Sequence, residues 1–217
     1  MAGAPARNPS RLVGPGEALR IADEAARFVS RGGEKLAAAL EHFGVDPTDR
    51  RVLDAGASTG GFTDCVLQAG AAEVVALDVG RAQLHQRLRA DPRVRVVERT
   101  NVRHAGPDVL GPPADLVVAD LSFISLRTVA AALLAAAAPG ADLILLVKPQ
   151  FEATRAEVDA GKGVIRDPEI HARVLAEVSG TLEGLGAAIM GSMHSPLRGA
   201  DGNVEFLLHV VAPGGPT

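Results

Sequence analysis

The sequence predicts an α/β fold built on a doubly wound, seven-stranded, mostly parallel sheet. Three observations carry this expectation. The stretch from Val52 to Phe62 joins an apolar run, an acid at Asp54, a turn of small residues and a helix start. Short apolar runs then alternate with helix-spaced patterns as far as Val147, the pattern of successive βα units. Polar residues recur where those runs stop, at Asp54, Asp78, Asp120 and Lys148, and in a parallel sheet such ends share one edge.

The elements follow in order. Residues 1–27 are rich in Pro, Ala, Gly and Arg and are too short for a domain; Gly16 to Phe28 reads as a short helix or an extended arm. Residues 28–212 form the main domain and 213–217 a tail. Leu36, Leu40 and Phe43 share one face, so residues 31–44 read as an amphipathic helix, with Ser30 as N-cap and Gly44 as C-cap. Lys35 lies off that apolar face, and taken alone it reads as a solvated charge. Strands are expected at Arg51 to Leu53, Glu73 to Asp78, Val94 to Val97, Asp115 to Asp120 and Leu143 to Val147. Helices are expected at Thr63 to Gly70, around Ala82 to Leu88, and at Leu126 to Ala138. Residues 149–166 read as a long connection, a length typical of lids and substrate grips. Asp167-Pro168 starts a helix that runs to about Gly184, and Ala187 to Met193 and Val204 to Val211 complete the strands.

Composition narrows the function. The chain has 217 residues, 47% of them hydrophobic and 3% aromatic, so its core is aliphatic. A net charge of −4 gives no global field to draw in RNA or DNA, which leaves a local patch for any such contact. A single cysteine, Cys65, excludes an internal disulfide and reads as a small core residue. The apolar run from Val129 to Ala138 is too short to span a bilayer, and Met1 to Asn8 has no apolar signal region. These features point to the cytoplasm and to no membrane partner.

Three readings compete for the loop after the first strand. The dinucleotide fingerprint G-x-G-x-x-G fails because Ser58 stands where its second glycine belongs. Gly56-Ala57-Ser58-Thr59-Gly60 fits the G-x-S-x-G elbow of serine hydrolases, but no His-Gly-Gly oxyanion loop precedes it. The third is an S-adenosylmethionine loop of D-x-G-x-x-x-G type, comprising Asp54, Gly56, Ser58, Thr59, Gly60, Gly61 and Phe62. Asp78, about twenty residues on, is placed to accept both hydroxyls of an adenosine ribose. Asn101 either reads the base edge or only fixes a turn.

Only three of the 22 basic residues are lysines: Lys35, Lys148 and Lys162. A lysine, unlike an arginine, can be tuned to act as a base. Asp120 and Lys148 end neighbouring strands, Glu205 opens the last strand, and Lys35 sits on the helix before the sheet. Two lysines and two carboxylates thus converge beside the cofactor loop. Such a set suits methyl transfer to a hydroxyl, with Lys148 accepting the proton and Asp120 both orienting it and binding the cofactor beside its positive charge. Lys35 and Glu205 would hold the ribose and each other, and much of the rate would come from alignment.

These motifs resemble the methyltransferase domain of the TlyA family, 2′-O-ribose rRNA methyltransferases related to the FtsJ (RrmJ) type. The resemblance runs from about Phe28 to Val211. It rests on Val29-Ser30-Arg31-Gly32-Gly33, on residues 54–64 and on Glu98-Arg99-Thr100-Asn101-Val102-Arg103. Asp120-Leu121-Ser122-Phe123-Ile124-Ser125-Leu126, Lys148-Pro149-Gln150-Phe151-Glu152, residues 161–167 and Gly202-Asn203-Val204-Glu205-Phe206 complete it. It implies a Rossmann-like class I fold and S-adenosylmethionine as cofactor, with rRNA or a ribosomal subunit as partner and no DNA. It also implies a catalytic tetrad of Lys35, Asp120, Lys148 and Glu205, with Asp78 as the ribose acid. Family members usually begin with an S4-type RNA-binding domain; Leu12 to Phe28 resembles only its end and linker. That departure implies a separate RNA-binding partner or a smaller acceptor molecule.

Overall fold

A computed structural model describes residues 26–214. The expected arm at Gly16 to Phe28 lies almost wholly outside the described residues. The chain runs α1 (Gly32–Phe43), β1 (Arg51–Ala55), α2 (Gly61–Gln68), β2 (Glu73–Leu77), α3 (Gln86–Arg89), β3 (Val94–Val97), α4 (Pro107–Leu110), β4 (Ala114–Ala119) and α5 (Leu126–Ala136). It continues through β5 (Ala137–Val147), α6 (Pro149–Glu152), α7 (Arg155–Ala160), α8 (Pro168–Gly184), β6 (Ala188–His194) and β7 (Phe206–Val211).

The seven strands form one sheet in the order β3-β2-β1-β4-β5-β7-β6. All neighbouring pairs are parallel except β5 with β7 and β6 with β7. Both faces are covered, which is why the central strands read as unbroken apolar runs rather than as alternation. Leu53, Val117 and Leu145 face α5 and α8, where Val129, Leu133, Val174 and Val178 are buried. Val52, Val118 and Ile144 face α1 and α2, against Leu36, Leu40, Phe62 and Val66. Cys65 is buried in this second layer, and burial pushes its thiol up to about 12.

Strand order turns back between β1 and β4, so the loops that leave them diverge and open a crevice at the carboxyl edge. The antiparallel β7 matters for a different reason. Its first residue, Phe206, pairs with the last residue of β5, Val147. The segment entering β7 therefore arrives beside the segment leaving β5.

Several local expectations are corrected. Glu205 precedes β7 rather than opening it. Arg31, not Ser30, occupies the N-cap of α1 and makes no side-chain cap; Gly44 does end the helix, at φ 66°. The helix marked by Ala82 to Leu88 shrinks to four residues, because Ala82 adopts φ 54° and breaks the turn before it. Its apolar residues Leu84 and Leu88 pack onto Gly60 instead. The long connection after Lys148 contains α6 and α7, the latter closed by a capping box between Thr154 and Glu157.

Candidate active site

The loop after β1 is held by backbone contacts that leave no room for a side chain at Gly56. Gly56 and Ala57 donate their N–H groups to Leu77 O on β2 at 2.8 and 3.0 Å. Gly56 has φ 88°, and a Cβ there would lie 2.6 Å from the Asp120 carbonyl oxygen. Glycine thus lets the loops after β1 and β4 come into contact. Ser58 takes φ 47° and donates its N–H to Asp78 Oδ2 at 2.8 Å, while Gly80 N–H donates to Asp78 Oδ1 at 2.6 Å. Two backbone donors thus fix the Asp78 carboxylate at the rim of the loop.

Two hollows meet at this loop. One, of about 450 Å³, is lined by Asp78, Val79, Asn101, Leu121, Phe123 and Ile124 among others. The second, of about 380 Å³, is lined by Lys35, Thr59, Gly61, Phe62, Lys148 and Glu205 among others. Gly56, Ser58, Asp120 and Ser122 border both. The two are therefore halves of one cleft over the β1/β4 crevice.

All four residues of the expected tetrad line the second hollow. Lys148 Nζ stands 2.5 Å from Asp120 Oδ1 and donates to Ser122 Oγ at 2.9 Å. Lys35 donates to Glu205 Oε2, and both side chains are 10% or less exposed. The solvated reading of Lys35 is thereby overturned: the first turn of α1 tucks under the segment that enters β7. Gly199 gives that segment space, since a Cβ there would lie 2.7 Å from Glu205 Oε1. Each lysine thus has its own carboxylate, so neither charge is left uncompensated in a largely desolvated site.

The other expected cofactor residues divide. Gly56, Ser58, Thr59, Gly61, Phe62, Asp78 and Asn101 line the cleft. Asn101 Oδ1 accepts from Arg103 N–H at 3.0 Å and so fixes a turn. Asp54 and Gly60 line neither hollow. A Cβ on Gly60 would collide with Leu88, so that glycine serves packing. Asp54 is fully buried beneath the loop, with Oδ2 accepting from the Thr63 hydroxyl at 2.6 Å and Oδ1 without a partner among the described residues. Burial pushes its carboxyl up to about 7; the Thr63 bond opposes that rise, and the charges of Asp120 and Asp78 add to it.

Three residues stand in motifs quoted above but were given no role there. Ser122 is a partner of Lys148. Phe123 is 92% exposed at φ 64°, its ring 5.2 Å from that of Phe151. Glu152 is 4% exposed and held by the start of α5. Their place in those motifs is the only sequence signal, since neither exposure nor a partner far along the chain can be read from sequence.

Comparison with known proteins supplies a second line of observation. A family described as FtsJ-like methyltransferase matches residues 28–211. The 16S/23S rRNA (cytidine-2′-O)-methyltransferase TlyA of Mycobacterium tuberculosis (strain CDC 1551 / Oshkosh) is 50% identical over 207 residues, covering 95% of this chain and 77% of that protein. A solved structure of a hemolysin-named protein from Streptococcus thermophilus is 42% identical with a TM-score of 0.83, covering 93% of this chain and 70% of that one. N-methyltransferase NodS from Bradyrhizobium japonicum WM9, solved with S-adenosyl-L-homocysteine, shares the fold at a TM-score of 0.59 and 14% identity, over 85% of this chain and 89% of that one.

Proposed function

The chain belongs to the FtsJ-like methyltransferase family, and we propose that it transfers a methyl group from S-adenosylmethionine to a ribose 2′-hydroxyl of rRNA. The observation that carries this reading is the pairing of Lys148 with Asp120 and of Lys35 with Glu205 in one cleft, directly beside the loop after β1.

The first hollow fits the cofactor. The fixed Asp78 carboxylate is an acceptor for a ribose diol, and Asn101 offers an amide to a base edge. Val79, Leu121 and Ile124 supply apolar walls for an adenine ring. Gly56 keeps the loop backbone low enough to be approached closely. When bound, S-adenosylmethionine supplies an electrophilic methyl group on a sulfonium, open to in-line displacement.

The protein then has to position and deprotonate the acceptor. Lys148, after giving its own proton to solvent, takes the 2′-hydroxyl proton as a neutral amine, and Asp120 and Ser122 fix where its Nζ points. The Lys35–Glu205 pair presents a rigid donor and acceptor to the ribose. Holding the hydroxyl in line accounts for most of the rate, because alignment alone can be worth about 7–11 kcal/mol. Arg31 lies at the same cleft and is exposed, a local cation for phosphate in a chain of net negative charge. Phe123 presents a free ring face at the mouth, the kind of surface on which an unstacked RNA base rests. The hemolysin-named relatives raise a membrane role, but no helix among the described residues is long and apolar enough to cross a membrane.

The test is transfer of radiolabelled methyl to purified ribosomal subunits, naked rRNA and a small-metabolite extract, with Lys148→Ala as control. Label on rRNA that disappears in the variant is the expected result. Label confined to small molecules, or undiminished label in the variant, overturns the reading.

A further inference from the structure

The parallel ladder between β4 and β5 ends at the pair Ala119 and Leu145. Asp120 and Lys148 both lie beyond it: the Asp120 N–H still donates to Ala55 O of β1 at 3.1 Å and Val147 still pairs with Phe206 of β7, but no ladder bond joins the two segments directly. A side-chain contact outside the ladder ties the two segments to each other. Glu152, four residues after Lys148, is buried with its side chain 2% exposed. It reaches across to the segment that carries Asp120. Its Oε2 accepts from the Ser125 hydroxyl at 2.5 Å and its Oε1 accepts from Leu126 N–H at 2.6 Å. Arg127 closes the contact from outside: its Nη2 donates to the Glu152 carbonyl at 2.7 Å and its Nη1 to Glu177 Oε2 on α8 at 2.8 Å.

We infer that Glu152 is a positioning residue that clamps the segment after β5 to the segment after β4 and so sets the meeting of Lys148 with Asp120. The chemistry suits a fixed joint. A carboxylate at the start of an eleven-residue helix satisfies an N–H group that has no partner within the helix and lies at the positive end of its dipole. The same carboxylate carries α6, whose N-cap is Lys148 itself. Lys148 and Phe151 therefore move with Glu152, while Asp120, Ser122 and Phe123 move with Ser125. The Phe123–Phe151 contact bridges the two segments as well, but Phe123 is open to solvent and makes a weak strut.

This inference rests on the proposed role of Lys148 and has its own test. Glu152→Gln keeps shape but loses the charge and one of two acceptors. We expect the single-turnover rate on rRNA to fall about 10- to 100-fold, the scale of a catalytic group displaced by up to about 1 Å. KM for rRNA and calorimetric affinity for S-adenosylhomocysteine stay within about twofold, since Glu152 lines neither hollow of the cleft. Ser125→Ala shows a smaller loss, and Ser125→Thr, which restores the hydroxyl, recovers it. A readout independent of turnover is acetylation of Lys148 by acetic anhydride, followed by mass spectrometry. Its side chain is 10% exposed, so release of the clamp raises its labelling rate several-fold over that of Lys162 in the same sample. Wild-type turnover with unchanged Lys148 labelling in Glu152→Gln overturns the inference, as does a rate loss matched by loss of cofactor affinity. An active wild type with an active Lys148→Ala variant overturns the functional reading instead, and the labelling experiment still decides the clamp.

Discussion

Replacing Asp54 by asparagine isolates a buried carboxyl whose titration falls near neutral pH. In the folded chain burial holds this group at about 7, against an ordinary aspartate near 3.8. Between those values the folded chain keeps a proton that the unfolded chain has released. Asp54 therefore contributes stability that is fully present at low pH and is lost as pH rises from about 4 to about 7, levelling off above that. The distance between the two values is worth at most about 4 kcal/mol, a large fraction of the 5–15 kcal/mol that holds a typical domain. Asparagine keeps an oxygen for the Thr63 hydroxyl but places an amide where Oδ1 now lacks a partner, at a cost of about 1–3 kcal/mol that does not vary with pH. The informative quantity is thus the slope. Urea unfolding of both proteins across about pH 4 to 8 should show wild type losing ground steadily to Asp54→Asn. A stability difference that stays constant over that range would refute the argument that Asp54 titrates there.

The other expectations concern the cleft. Asp78→Ala should weaken S-adenosylhomocysteine binding by about 10-fold or more in calorimetry, the scale of lost hydrogen bonds to a charged group, and unchanged affinity would remove Asp78 from the site. Phe123→Ala should raise KM for rRNA by about 10-fold with little change in melting temperature, because a stacked base is worth about 1–3 kcal/mol and the exposed ring supports little core. Lys35→Ala strands the buried Glu205 carboxylate and should cost about 3–5 kcal/mol by urea unfolding; a loss below about 1 kcal/mol would mean water reaches Glu205 freely.

The strands were legible because burial on both faces demands continuous apolar runs, and Val74 to Leu77, Leu116 to Ala119 and Leu143 to Val147 obey that demand. The loop after β1 was legible because its small residues have few other reasons to follow a strand. Lys35 was the clearest failure. On its own helix it lies off the apolar stripe, and only the arrival of Glu205 from 170 positions away buries it. The short α3 failed in the same way. Leu84 and Leu88 have helical spacing, yet Leu84 lies before α3 and both fill the space above Gly60.

The sequence by itself determined the alternation of strand and helix, the acids and lysines at strand ends, and the glycines that let backbones meet. These depend on neighbours along the chain, where local sterics and periodicity act. The tertiary structure alone decided which charges became partners. Strand order put the loops after β1 and β4 at one crevice, and the antiparallel β7 carried Glu205 to Lys35. Glu152 took over where the β4–β5 ladder stops. Each of these contacts spans residues far apart in sequence, and only packing, which acts through space, brings them together.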